Sequence, residues 1–287
     1  GVQTCALPIS PIIQQAMLDA LGIRCTYGRI RVSAGQAPAW LAQEQKRGVL
    51  AGFNATMPHK ADLVSFMDTL SDDARMYRSV NTVVLRNGKR HGYNTDGQGF
   101  LSSLRDEGID PQGMNVTVLG AGGAARSVVL KLADSGVDGI TVLCRTPGKA
   151  KALAHASPII QVSGMDNAAM IKSLHGADLL VNCTPLGMDG VDAQFARFDF
   201  LDALPHRAAV CDVIYRPLKS RLLAEAEYRG HAVLNGLGML IHQAILALEL
   251  FSDQTLDASA MQQAIHCRLL PMLEQGTANN RSGCAWG

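Results

Sequence analysis

Residues 115–136 read NVTVLGAGGAARSVVLKLADSG. An apolar run, Val116 to Leu119, stops at Gly120, and an apolar pattern of helical period follows from Ala124 to Ala133. Gly120, Gly122 and Ala125 thus stand in G-x-G-x-x-A spacing between a strand and a helix. Each position has a mechanical reason. The first glycine permits the tight turn, the second lets backbone N–H groups approach a pyrophosphate, and the small third residue keeps helix and strand close. The helix N-terminus adds partial positive charge. Such a turn also closes ordinary strand–helix junctions, so its surroundings decide. A second apolar run, Ile140 to Leu143, follows at the interval of a βαβ unit and ends at Cys144-Arg145-Thr146. An NAD site usually has a carboxylate there, whereas a 2′-phosphate calls for cations and hydroxyls. Arg145, Thr146 and Lys149 fit the phosphate, with the arginine fork able to hold it at two points. The bland reading is a solvated strand end; NADP is preferred over NAD.

Outward from this unit, strands are expected at Leu179 to Asn182 and Val210 to Val213, with helices at Lys149 to Ala156, Asn167 to Leu174 and Leu218 to Arg229. Short apolar strands alternating with helices predict a parallel sheet covered on both faces. Upstream, helices are expected at Pro11 to Leu21, Ala37 to Arg47 and Pro58 to Met67, and strands at Cys25 to Val32 and Val49 to Phe53. Ser10 reads as an N-cap with Pro11 at the first helical position. Val80 to Leu85 and His91 to Tyr93 flank Asn87-Gly88, which favours a hairpin because both residues tolerate positive φ. A helix follows from Gly97 to about Glu107. Gly236 to Leu273 reads as two helices, broken near Asp253 to Asp257, that return to the first lobe. The expected fold class is α/β in two lobes: a Rossmann-type doubly wound domain, residues 97–236, and a discontinuous α/β domain, residues 1–96 plus 237–287.

Lys plus Arg is 26 and Asp plus Glu is 25 in 287 residues, with no run of like charge, which argues against nucleic-acid or anionic-membrane binding. No uncharged stretch forms about 20 residues of continuous hydrocarbon, so no membrane span is expected. Seven cysteines without C-x-x-C spacing read as core thiols in a reducing compartment, the cytoplasm. The eight histidines show no zinc-ligand spacing, and no metal is expected. Gly1 to Ile9 lacks periodicity and is expected not to belong to the native fold; Gly276 to Gly287 has a composition that frays; neither end carries a cleavable signal.

Four polar strings sit at expected element ends: GFNATMPHK (residues 52–60), SVNT (79–82), GYNTDGQGF (92–100) and NGLGMLIHQ (235–243). Loop ends on a rigid scaffold can hold a polyhydroxyl ligand, although each Asn or Thr alone reads as a cap or turn residue. Lys60 and Asp96, with Asn54, Thr56 and Asn81, make the best candidate site. A hydride-transferring enzyme that acts on an alcohol must also move the hydroxyl proton. Burial would suit Lys60 to that task while a neighbouring carboxylate would oppose it. Either Lys60 carries the proton and Asp96 holds the ligand, or the two share it, or they are an ordinary ion pair at a domain junction.

Together with GAGGAAR (120–126), CRT (144–146) and NCTPLGM (182–188), these strings resemble the shikimate dehydrogenase family, in the family's order and from about Ser10 to Leu273. The resemblance implies reversible oxidation of shikimate to 3-dehydroshikimate with NADP, and a catalytic pair of Lys60 and Asp96 with Lys60 as the acid/base group. It also implies that Asn54, Thr56, Asn81, Asp96, Tyr215 and Gln243 line the substrate and that Ser10 meets its carboxylate. Gly120, Ala121, Gly122, Gly123, Ala124, Arg145, Thr146, Lys149, Val213 and Gly236 would hold NADP, with Asp72 on the nicotinamide side. Three features depart from the family. Pro8 stands where a first serine is usual, the usual first strand is absent, and Cys144 replaces an Asn. A quinate/shikimate dehydrogenase of broader specificity and a non-catalytic metabolite-binding homologue are the alternatives, and a homodimer is left open.

Overall fold

The computed structural model describes residues 9–56 and 58–279; the side chains of Lys149, Leu270 and residues 273–279 lie outside the description, as do the expectations for Gly1 to Pro8. In chain order the elements are α1 (Ile9–Ala20), α2 (Ala37–Arg47), β1 (Gly52–Asn54), α3 (His59–Asp62), β2 (Thr69–Leu70), α4 (Asp72–Tyr77), β3 (Thr82–Arg86), β4 (Lys89–Tyr93) and α5 (Asp96–Asp106). There follow β5 (Asn115–Leu119), α6 (Gly123–Asp134), β6 (Gly139–Cys144), α7 (Pro147–Ala154), β7 (Ile160–Gly164), α8 (Asn167–Leu174) and β8 (Leu179–Asn182). The chain closes with β9 (Ala209–Asp212), α9 (Arg221–Tyr228), β10 (Ala232–Leu234), α10 (Leu237–Ser252) and α11 (Ala258–Asn279).

The sheet built outward from the glycine turn is six-stranded and wholly parallel, in the order β10-β9-β8-β5-β6-β7. Its inner strands are buried on both faces, which is why they read as unbroken apolar runs. On α6, Ala125, Val128, Val129 and Leu132 fall at helical spacing on the buried face and join Val116, Val118 and Val142 in one core. A second core lies on the opposite face of the sheet, around Leu119, Leu180, Phe198 and Phe200.

The other sheet has the order β1-β3-β4-β2, antiparallel except for the β2–β4 pair. Asn87 (φ 53°) and Gly88 (φ 73°) turn the β3–β4 hairpin as expected. The returning helices complete this lobe. Ile13 and Met17 of α1 are buried against Ile241 and Ile245 of α10 and Ile265 of α11, and Gln14 Nε2 donates to the Ala244 carbonyl at 3.1 Å.

Four expectations fail. Ile9, expected with the residues before it to lie outside the native fold, opens α1 and is buried in the core that α1 shares with α10 and α11. Cys25 to Val32 forms no strand: it finds no ladder partner among the described residues and is held by side chains instead, Tyr27 OH donating to Asn54 Oδ1 at 2.6 Å. The strand expected from Val49 starts only at Gly52, because Val49 is 83% exposed and has nothing to pack on. Ser10 is not an N-cap, since α1 already begins at Ile9 and puts Ser10, exposed, inside the first turn. Among the described residues no helix is long and apolar enough to cross a membrane.

Candidate active site

Lys60 lies on the short helix after β1, where its carbonyl accepts from Val80 N at 2.8 Å and ties that turn to the start of β3. Asp96 is the first residue of α5, where the helix dipole favours a carboxylate. The two elements bring Lys60 Nζ to 2.6 Å from Asp96 Oδ2, with the side chains 21% and 8% exposed. The pair is therefore shielded, yet the ammonium keeps an opening to solvent.

Asn81 organises the neighbourhood. Its Nδ2 donates to Asp96 Oδ1 at 2.8 Å and to Thr95 Oγ1 at 2.9 Å, while its Oδ1 accepts from Thr95 N at 3.0 Å and Thr82 Oγ1 at 2.9 Å. Both amide hydrogens and both lone pairs are engaged. Asn54 is similarly occupied: Oδ1 accepts from Tyr27 and Nδ2 donates to Thr82 Oγ1 at 2.9 Å. Asn94, part of the GYNTDGQGF string but not singled out within it, accepts from Asp96 N at 3.0 Å and donates to the Ser79 carbonyl at 3.0 Å. Thr95 Oγ1 donates to the Gln243 carbonyl at 3.0 Å, which fixes α10 against the start of α5. Lys60, Asp96, Asn81, Asn54 and Gln243 are thus brought into one network. Thr56 and Ser10 are exposed, and among the described residues their side chains make no hydrogen bond to it. Tyr215 follows β9 and packs on the α1–α10–α11 core, and burial pushes its phenol above the usual range.

The second half of the site lies at the carboxyl ends of the parallel strands, where the order reverses beside β5. Gly120 has φ +100°, a left-handed conformation closed to most side chains, and its N–H donates to Leu143 O at 2.7 Å. A Cβ at Gly122 or Gly123 would meet nothing within 4 Å, so the first turn of α6 faces open space that a ligand can occupy. Arg145 and Thr146 are exposed at the end of β6, the strand paired with β5. Lys149 is on α7, its side chain outside the description. Val213 and Gly236 share a small cavity with Phe100, Ser103, Asp212 and Met239. Asp72 is exposed in the first turn of α4; its neighbour Asp73 is the one that approaches α6, 3.8 Å from Lys131 Nζ.

Two features escaped the sequence reading. Asp212 is 1% exposed and accepts from Ser220 Oγ (2.6 Å), Asn182 Nδ2 (3.0 Å) and Ile214 N (3.0 Å), so it braces the loops after β8 and β9. Burial is the largest influence on it and, opposed by those bonds, pushes its pKa up to about 6. The other is Arg126, whose Nε is buried with no hydrogen-bond partner among the described residues. The NCTPLGM string hinted at the first and the GAGGAAR string, which ends on Arg126, at the second, but neither residue stood out within them. An orphaned cationic donor beside an open glycine turn fits a phosphate-bearing dinucleotide.

Family models for the "Shikimate dehydrogenase substrate binding domain" (residues 5–83), "Shikimate / quinate 5-dehydrogenase" (105–186) and "Shikimate 5'-dehydrogenase C-terminal domain" (236–266) match the chain. The shikimate dehydrogenase (NADP(+)) of Alkaliphilus oremlandii is 40% identical over 223 residues, 76% of this chain and 78% of that one. Among solved structures, shikimate 5-dehydrogenase from Thermus thermophilus, in complex with NADP(H) and shikimate, aligns with a TM-score of 0.79 at 32% identity over 91% of this chain and 95% of that one. Quinate dehydrogenase from Corynebacterium glutamicum, in complex with NAD, aligns with a TM-score of 0.80 at 28% identity, over 92% of this chain and 95% of that one. The order of strings and the two sheets accord with these matches: the chain belongs to the shikimate dehydrogenase family.

Proposed function

We propose that the protein is an NADP-dependent shikimate dehydrogenase, reducing 3-dehydroshikimate reversibly to shikimate. The observation that carries the reading is the shielded 2.6 Å contact between Lys60 Nζ and Asp96 Oδ2, with Asn81 holding the other carboxylate oxygen. When bound, NADPH supplies the hydride to the carbonyl carbon. Lys60 gives a proton to the carbonyl oxygen as the hydroxyl forms and takes it back in the reverse direction. Asp96 keeps the ammonium in place and accepts from a ring hydroxyl. Thr56, Tyr215, Gln243 and Ser10 surround the ring, Ser10 toward its carboxylate, while Asn54 and Asn81 act through the bonds they already make. Gly120 to Ala124 cradle the pyrophosphate, Arg145, Thr146 and Lys149 take the 2′-phosphate, and Val213, Gly236 and Asp72 border the nicotinamide. Residues 97–236 serve as the cofactor domain and 1–96 plus 237–287 as the substrate domain. Free thiols at Cys25, Cys144, Cys183, Cys211 and Cys267 support a cytoplasmic setting.

The test is reduced-nicotinamide absorbance with shikimate or quinate, each with NADP or NAD. A signal with shikimate and NADP is expected. Turnover only with quinate or only with NAD would replace this reading by that of a quinate dehydrogenase.

A further inference from the structure

Two arginines at the contact between α4 and α6 lack a counter-charge among the described residues. α4 and α6 pack antiparallel, with Asp73 and Lys131 3.8 Å apart at one end. The same register brings Arg78, which caps α4, toward Arg126 in the first turn of α6. Burial first, and repulsion from Arg78 second, hold the Arg126 guanidinium below the usual arginine range. Neither residue belongs to any ion pair among the described residues. Arg126 Nε is buried and has no hydrogen-bond partner among the described residues.

The backbone adds a second oddity. Arg78 ends α4 in the left-handed conformation, φ 50°, a position that glycine fills without strain. The fold therefore keeps a long cationic side chain where it is conformationally unfavourable, next to another cation that is partly desolvated. The second cost, the unbalanced charge of two neighbouring guanidinium groups, falls if an anion sits between them. The adjacent N–H groups of the α6 turn and the open space at Gly122 and Gly123 show where such an anion can come from.

We propose that Arg126 and Arg78 form an anion subsite for the pyrophosphate of the dinucleotide, with one arginine supplied from each lobe. The inference rests on the dehydrogenase reading and adds to it a cofactor contact from the substrate lobe. Binding of the dinucleotide then neutralises a repulsion across the lobe junction.

The test is direct binding, read by NADPH fluorescence on the full chain without substrate and by titration calorimetry with adenosine 2′-monophosphate and with shikimate. Arg126→Gln is expected to raise the NADPH Kd about tenfold, as loss of a hydrogen bond to a charged group does. Arg126→Lys recovers part of this. Arg78→Gly is expected to weaken NADPH binding while raising the thermal midpoint, a combination that a purely structural arginine would not give. Adenosine 2′-monophosphate, which lacks the pyrophosphate, and shikimate bind as before in every variant. An unchanged NADPH Kd in folded Arg126→Gln overturns the proposal, as does weaker shikimate binding with intact NADPH binding, which would assign the pair to the substrate carboxylate. Wild-type protein that binds no NADPH would instead remove the dehydrogenase reading itself.

Discussion

Lys60 and Asp96 divide one task between them: the ammonium is partly open to the cleft, and the carboxylate that holds it is engaged by Asn81 on its other oxygen. Removing the proton carrier should slow chemistry more than it weakens binding. Lys60→Ala is expected to lower kcat about 10²- to 10⁴-fold with a much smaller change in KM; an unchanged kcat in steady-state assays would take Lys60 out of the mechanism. Asp212 carries a different prediction. Its pKa is raised by folding from 3.8 to about 6, so the native state binds the proton more tightly than the unfolded chain. Its contribution to stability is full below pH 3.8 and is lost as pH rises through about 6, on the order of 3 kcal/mol in all. Denaturant titrations from pH 4 to 7 should show that loss in the wild type and not in Asp212→Asn.

At the scale of elements, α5 is the hub, and two glycines make it so. A Cβ at Gly97 would lie 2.7 Å from the Ser127 carbonyl of α6, and one at Gly99 would lie 2.8 Å from Gln243 N on α10. Neither glycine is needed for a turn; each lets a helix from one side come close. Gly99→Ala should cost about 1–3 kcal/mol by overpacking and, because it displaces Gln243, raise KM for substrate more than for NADP, as steady-state kinetics with each varied in turn would show. The inner strands β5, β6, β8 and β9 were legible as apolar runs because both their faces are covered. β7 and β10 were missed because they are the edges of the sheet, with part of one face in solvent, and β10 is only three residues long. Cys25 to Val32 misled in the other direction, since alternation of side chains makes a strand only where a neighbour accepts its hydrogen bonds. Of the site, Lys60, Asp96 and the glycine turn were legible because polar side chains at loop ends have little packing work to explain them. Asp212 and Arg126 were not, because a lone Asp at the end of an apolar strand and a lone Arg in the first turn of a helix look like ordinary solvated residues until burial is known.

For the whole molecule, α5 lies between a helix of the nucleotide lobe and one of the substrate lobe, so the lobes should unfold together. Trp40 is in the substrate lobe, packed edge-on against Phe53 at 5.0 Å between ring centroids. With Trp286→Phe as background, NADP at a hundred times its Kd should stabilise the protein by about 2.7 kcal/mol and move the Trp40 fluorescence midpoint as far as the circular dichroism midpoint. A Trp40 transition that ignores the cofactor would mean that the lobes melt independently. The hydrogen bond from Gln14 to Ala244 spans 230 positions of sequence. On a ribosome adding 5–20 residues per second, roughly 12 to 46 seconds separate the emergence of its two ends. For that interval the apolar stripe of α1 has no α10 or α11 to cover it while the entire nucleotide lobe is being made. A helix made early is thus buried late, and a nascent chain of this architecture carries an apolar stripe that chaperones would be expected to shield.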